Sequence, residues 1–148
     1  MIKDNIDKLI AEAMKRQGSD HLNVLRAIKT VLVNFEKEGN TLTEADEVKL
    51  LLKMKAQRQD SVEQYELAGR HDLADAETRE LAVLEAYIPV QPSDEDIRKE
   101  AENVCDHLIA ENGGLSMKDM RQVMSIVQGK FPTAPGKIIS DVVKSKIE

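Results

Sequence analysis

Between residues 43 and 92, two strongly patterned helical segments are joined only by Leu67-Ala68-Gly69-Arg70-His71-Asp72-Leu73 and are stopped by Tyr87-Ile88-Pro89. A turn this short between two long helices makes them fold back antiparallel. It commits the chain to packing helix on helix. The boundary residues agree. Thr43 reads as an N-cap, with Glu44, Asp46 and Glu47 in the first turn, where the helix dipole favours anions. Gly69 ends that helix, Asp72 reads as the cap of the next, and Pro89 forbids continuation.

The same periodicity runs through the rest of the sequence. A first helix over residues 3–17 carries Ile6, Leu9, Ile10 and Ala13 and stops at Gly18; a second, capped by Ser19, presents Leu22, Leu25, Ile28, Leu32 and Phe35 until Gly39-Asn40. Val90-Gln91-Pro92 is the one plausible junction. Beyond it Ser93 opens a helix bearing Ile97, Ala101, Val104, Leu108 and Ile109, which ends at Gly113-Gly114. Ser116 caps a short helix carrying Met117, Met120, Val123, Met124 and Val127, of which Met120, Val123 and Val127 are expected to turn inward, and Ile138, Ile139, Val142, Val143 and Ile147 mark the last. Aromatics are 3% and Trp is absent, a composition suited to amphipathic helices and not to sheets. The expected fold is all-α: a four-helix N-terminal lobe over residues 1–90 followed by a small three-helix C-terminal lobe over residues 91–148.

The first twenty residues interleave Lys3, Asp4, Asp7, Lys8 and Glu12 with apolar positions, unlike a secretory or transit segment, and no apolar run reaches the roughly 20 residues that cross a bilayer. The lone Cys105 reads as a small core residue with no internal disulfide partner. A cytoplasmic location without membrane association is therefore expected. His21, His71 and His107 have no second ligand three or four positions away, so no metal is expected. Cys105 and His107 point roughly 200° apart on a helix and form no local nucleophile–base pair. Phosphate-loop, dinucleotide and serine-elbow motifs are absent. No catalytic residues and no cofactor are expected.

Two constellations remain. Glu77 lies four residues from both Leu73 and Leu81, within an apolar stripe, so its carboxylate requires a cation; Arg58 on the preceding helix and Arg26 on the second are the candidates. The second is electrostatic. The chain is acidic overall, at −6, yet residues 113–147 hold six cations against two acids. Lys118, Arg121, Lys130 and Lys137 are the candidate phosphate contacts in this stretch, which would bind backbone or shape rather than base sequence.

The ordered series Lys55-Ala56-Gln57-Arg58-Gln59-Asp60-Ser61-Val62-Glu63-Gln64-Tyr65, Ala68-Gly69-Arg70-His71-Asp72-Leu73-Ala74, Glu77, Glu80-Leu81 and Tyr87-Ile88-Pro89 closely resembles the YqeY family, and residues 23–29 look like that family's second helix. The resemblance covers essentially the whole chain. YqeY proteins are similar in their C-terminal part to the tail of GatB, a subunit of the amidotransferase that amidates Glu-tRNA(Gln) or Asp-tRNA(Asn). The resemblance implies a noncatalytic accessory module that binds tRNA or an RNA-containing complex. The alternative is a protein–protein adaptor docking on an amidotransferase or aminoacyl-tRNA synthetase. Carbon–nitrogen ligation with glutamine as amide donor, the family's inherited description, is least favoured, because the catalytic parts of the larger enzyme are missing from this sequence. One departure bears on the interface: Arg121 stands where the family tail has Gly, and the following turn gains Pro132 and Pro135.

Overall fold

The computed structural model describes residues 1–16 and 18–147, so Gln17, the expected last residue of the first helix, lies outside the described residues. Among those residues the chain is all-helical: α1 (Ile2–Arg16), α2 (Ser19–Lys37), α3 (Glu44–Leu67), α4 (His71–Tyr87), α5 (Asp94–Asn112), α6 (Met120–Lys130) and α7 (Gly136–Lys146), with a 3-10 turn, Met117–Asp119, leading into α6. Its internal contacts divide it into two compact units, Met1–Pro89 and Val90–Glu148.

In the first unit α3 and α4 pack along each other, and α2 packs on α1, α3 and α4. The reason is the spacing on α2. Val24, Leu25, Ile28 and Leu32 fall on one face and are all buried, joined by Ile6 and Ala13 of α1, Leu51 and Met54 of α3 and Leu84 of α4. Each large apolar side chain removed from water in this way contributes roughly 1.5–3 kcal/mol before entropy is counted. Thr43 caps α3 through a reciprocal box: the Asp46 amide donates to Thr43 Oγ1 at 3.1 Å, and the Thr43 amide to Asp46 Oδ2 at 3.2 Å. At the other end Gly69 takes φ 72°, and the Arg70 amide donates to the Tyr65 carbonyl at 2.9 Å, closing the helix with a left-handed residue.

Two caps differ from expectation. Gly18, in extended conformation, occupies the N-cap position of α2, so Ser19 is already helical and its side chain caps nothing. Asp72 lies inside the first turn of α4, where its carboxylate receives both Nε and Nη2 of Arg70 at 3.2 Å. The fork of Arg70 is the main cause that holds this carboxyl below the ordinary aspartate range.

In the second unit Ser93 and Asp96 form another capping box, with both hydrogen bonds at 3.1 Å, at the start of α5. Ile97, Ala101, Cys105 and Leu108 recur every three or four residues and meet Val123 and Val127 of α6 and Ile139, Val142 and Val143 of α7. These ten or so side chains make a core of their own, so the two units are each built around separate apolar clusters. At the start of α7, a Cβ added to Gly136 would lie 3.6 Å from Met124 Sδ, which places this helix end against the Met124 side chain.

Candidate functional site

The polar cluster of the first unit is centred on Arg58. Its Nη1 donates to Glu77 Oε2 at 3.2 Å and also to Glu80 Oε2, which binds α3 to α4 through one guanidinium and two carboxylates. Glu77 retains 25% side-chain exposure, so it sits at the rim of the helix pair and not within the apolar stripe. Arg26 is exposed and forms no ion pair among the described residues; its helix turns that position outward while Val24, Leu25 and Ile28 face the core.

The buried carboxylate is Glu47, 5% exposed. Its Oε1 accepts the Ile2 amide at 2.9 Å and its Oε2 the Lys3 amide at 3.1 Å. Helix N-termini carry unsatisfied amides, and here an acid 44 and 45 positions away supplies the acceptors for α1. In the sequence Glu47 looks like an ordinary first-turn anion of α3, and only the pairing of the helices reveals its second task.

In the second unit the four candidate phosphate contacts differ in the partners they meet. Lys130 Nζ is 2.9 Å from Glu100 Oε2 on α5 and 5.5 Å from the Phe131 ring centroid, so its charge is already compensated. Lys146 is likewise paired with Asp106 at 3.0 Å, and that hydrogen bond raises its pKa above the usual lysine value. Lys118, Arg121 and Lys137 are exposed and form no ion pair among the described residues.

Lys118 and Arg121, with Met117, Met120, Met124, Ser125 and Gln128, line a shallow groove of about 590 Å³, in which the three methionines are the apolar part, here called its floor. Met120, expected to turn inward with Val123 and Val127, packs against the core but stays partly exposed. Val123 and Val127 fill the inward face completely, Met120 and Met124 only flank the core, and Met117 is 57% exposed. Residues three or four apart share a stripe, so Met117, Met120 and Arg121, and Met124 fall on one side of the α6 segment.

The remaining titratable groups are structural. Cys105 is fully buried; burial first, then the Asp106 charge, pushes its thiol above the usual value, away from the reactive thiolate. His21 Nε2 lies 2.7 Å from the Tyr87 hydroxyl with the rings edge to face, tying α2 to the end of α4. Burial and then Glu12 raise the Tyr87 hydroxyl. Beside it a cavity of about 480 Å³ is lined by Ile2, Asn5, Lys8, Glu12 and Glu44. His71 and His107 pair with Glu66 at 2.7 Å and Glu111 at 3.1 Å. No helix among the described residues is long and apolar enough to cross a membrane.

Comparison with known proteins agrees along the whole chain. Residues 3–147 match the family model described as Yqey-like protein. Three fungal proteins, each called "Altered inheritance of mitochondria protein 41, mitochondrial", are similar to it. The protein from Clavispora lusitaniae is 26% identical over 90% of this chain and 80% of its own length; that from Meyerozyma guilliermondii is 25% identical over 82% and 66%; that from Candida glabrata is 27% identical over 78% and 66%. These names overturn the expectation of a cytoplasmic location, because proteins aligned over most of this chain are mitochondrial. The charged residues Lys3, Asp4, Asp7, Lys8 and Glu12 belong to α1, a folded helix.

Proposed function

We propose that this chain, which belongs to the Yqey-like protein family, is a noncatalytic accessory module of the tRNA-amidotransferase type that works as a protein–protein adaptor. On this reading a four-helix N-terminal lobe serves as a rigid body, and a three-helix C-terminal lobe docks on an amidotransferase or aminoacyl-tRNA synthetase. The division of internal contacts at Pro89 and Val90 supports treating the lobes as separate bodies. The observation that carries the reading is the outer face of α6. An amphipathic helix whose inner face is filled leaves its remaining apolar stripe for a partner, and here the stripe is three methionines edged by two unpaired cations.

Direct tRNA binding is the second reading, favoured by the exposure of Lys118, Arg121 and Lys137 without intramolecular partners. The loss of Lys130 to Glu100 weakens it, since fewer cations are left to displace counterions from phosphates.

Isolation of the full chain from its native source, with proteins and RNA both identified before and after ribonuclease treatment, separates the two readings. The adaptor retains a protein after ribonuclease and releases it when Lys118→Glu and Arg121→Glu are combined. If tRNA is retained instead, and lost steeply with salt, the second reading replaces the first.

A further inference from the structure

We infer that the outer stripe of α6 and its leading turn receives an acidic amphipathic helix from a protein partner. The inference rests on the adaptor reading and adds the chemistry of the partner. Met117, Met120, Met124 and Gln128 are spaced by three or four residues and run for roughly 18 Å of helix axis at 1.5 Å per residue. A surface of that length and shape matches about three turns of a second helix laid along it, with apolar anchors at three- and four-residue intervals.

The chemistry of the floor and the lip decides between occupants. Methionine side chains are unbranched and polarizable, so a floor of three of them reshapes around leucine, valine or phenylalanine anchors without strain. The lip demands negative charge. Lys118 and Arg121 stand beside the floor with no acid of the described residues neutralising them, so a complementary partner carries Asp or Glu next to its apolar anchors. RNA satisfies only half of this arrangement. Phosphates match the cations, but a duplex offers no apolar stripe, and of the aromatic or guanidinium planes on which unstacked bases rest the groove has only Arg121.

The full chain with isotope-labelled methionine methyl groups is titrated with a synthetic acidic amphipathic helix of about 18 residues. Parallel titrations use a scrambled peptide of the same composition, a version with every Glu replaced by Lys, and bulk tRNA. The acidic helix is expected to shift the Met117, Met120 and Met124 signals while those of Met14 and Met54 stay in place. Combining Lys118→Glu with Arg121→Glu should weaken it at least about tenfold and admit the Lys version, a charge swap that general instability does not mimic. Equal binding of the scrambled or the Lys peptide to the unaltered chain overturns the inference. So does a shift of the three methyl signals by tRNA alone, or by none of the probes. A native partner that contacts α6 through a basic or extended segment sinks this inference and leaves the adaptor reading standing; retention of RNA without protein in the native isolation removes the adaptor reading itself.

Discussion

Both units tie helices together through paired cations and leave other cations unpaired among the described residues, as Arg26 is in the first, and they differ in what surrounds them. In the first, Lys3 reaches Glu36 and Lys29 reaches Asp7, each at 2.6 Å, and Arg58 joins Glu77 and Glu80, so charge is used to tie one helix to the next. In the second, α5 absorbs Lys130 and Lys146 through Glu100 and Asp106, but Lys118 and Arg121 are left beside an apolar groove. A cation with a partner on a neighbouring helix belongs to the fold. One without a partner, standing next to unused apolar surface, is available to another molecule.

The contrast is sharpened first where the effect is largest. Leu84 is fully buried in the first unit, and Leu84→Ala should cost about 2–5 kcal/mol, read from the denaturant midpoint. Arg58→Ala should cost about 2 kcal/mol, below the full penalty for a buried pair, because it leaves two half-buried carboxylates facing each other at the rim. Glu77→Ala should cost about half as much, since Glu80 keeps the guanidinium paired. Lys118→Ala combined with Arg121→Ala should change stability by less than about 0.5 kcal/mol. A large loss there would mean that these cations serve the fold after all, and the contrast between the units would collapse.

The smallest effect is local and depends on pH. The Thr43 hydroxyl, then its amide, holds Asp46 below the ordinary aspartate range, and the Ser93 amide, then its hydroxyl, does the same for Asp96. A carboxylate whose folded value is depressed stabilises fully above its unfolded value, and the contribution disappears as pH falls through the folded one. Protection of the amides at the starts of α3 and α5, relative to free-amide exchange at the same pH, should therefore hold steady down to the ordinary aspartate range and fall below it, while Asp96→Asn should abolish that response at α5. An unchanged pH response in Asp96→Asn would show that the box is not its source.

What was legible in the sequence was local. Thr43 and Ser93 announce their helices by side chains that reach only three residues, Gly69 and Gly113 mark ends that require positive φ, and Pro89 stops α4 by its missing amide. The all-helical fold follows from such signals together with apolar spacing. What was not legible depended on neighbours distant in sequence. Glu47 looked like a solvent-facing anion of α3 because its donors, the amides of Ile2 and Lys3, come from another helix. Lys130 looked free because Glu100 is thirty residues earlier. Met120 looked fully inward because periodicity shows which residues share a stripe, not how wide the core behind it is. With Val123 and Val127 filling that core, Met117 is left outside.

The account turns on the outer face of α6, and a photo-crosslinking amino acid at position 124 of the full chain, with position 98 on α5 as control, probes that face in the native extract. Met124 lines the groove, and Arg98 is exposed elsewhere on the same unit. A discrete protein adduct is expected from position 124, mapped to an acidic helical segment, and none from position 98. An adduct with RNA alone, or the same protein pattern from both positions, would contradict it.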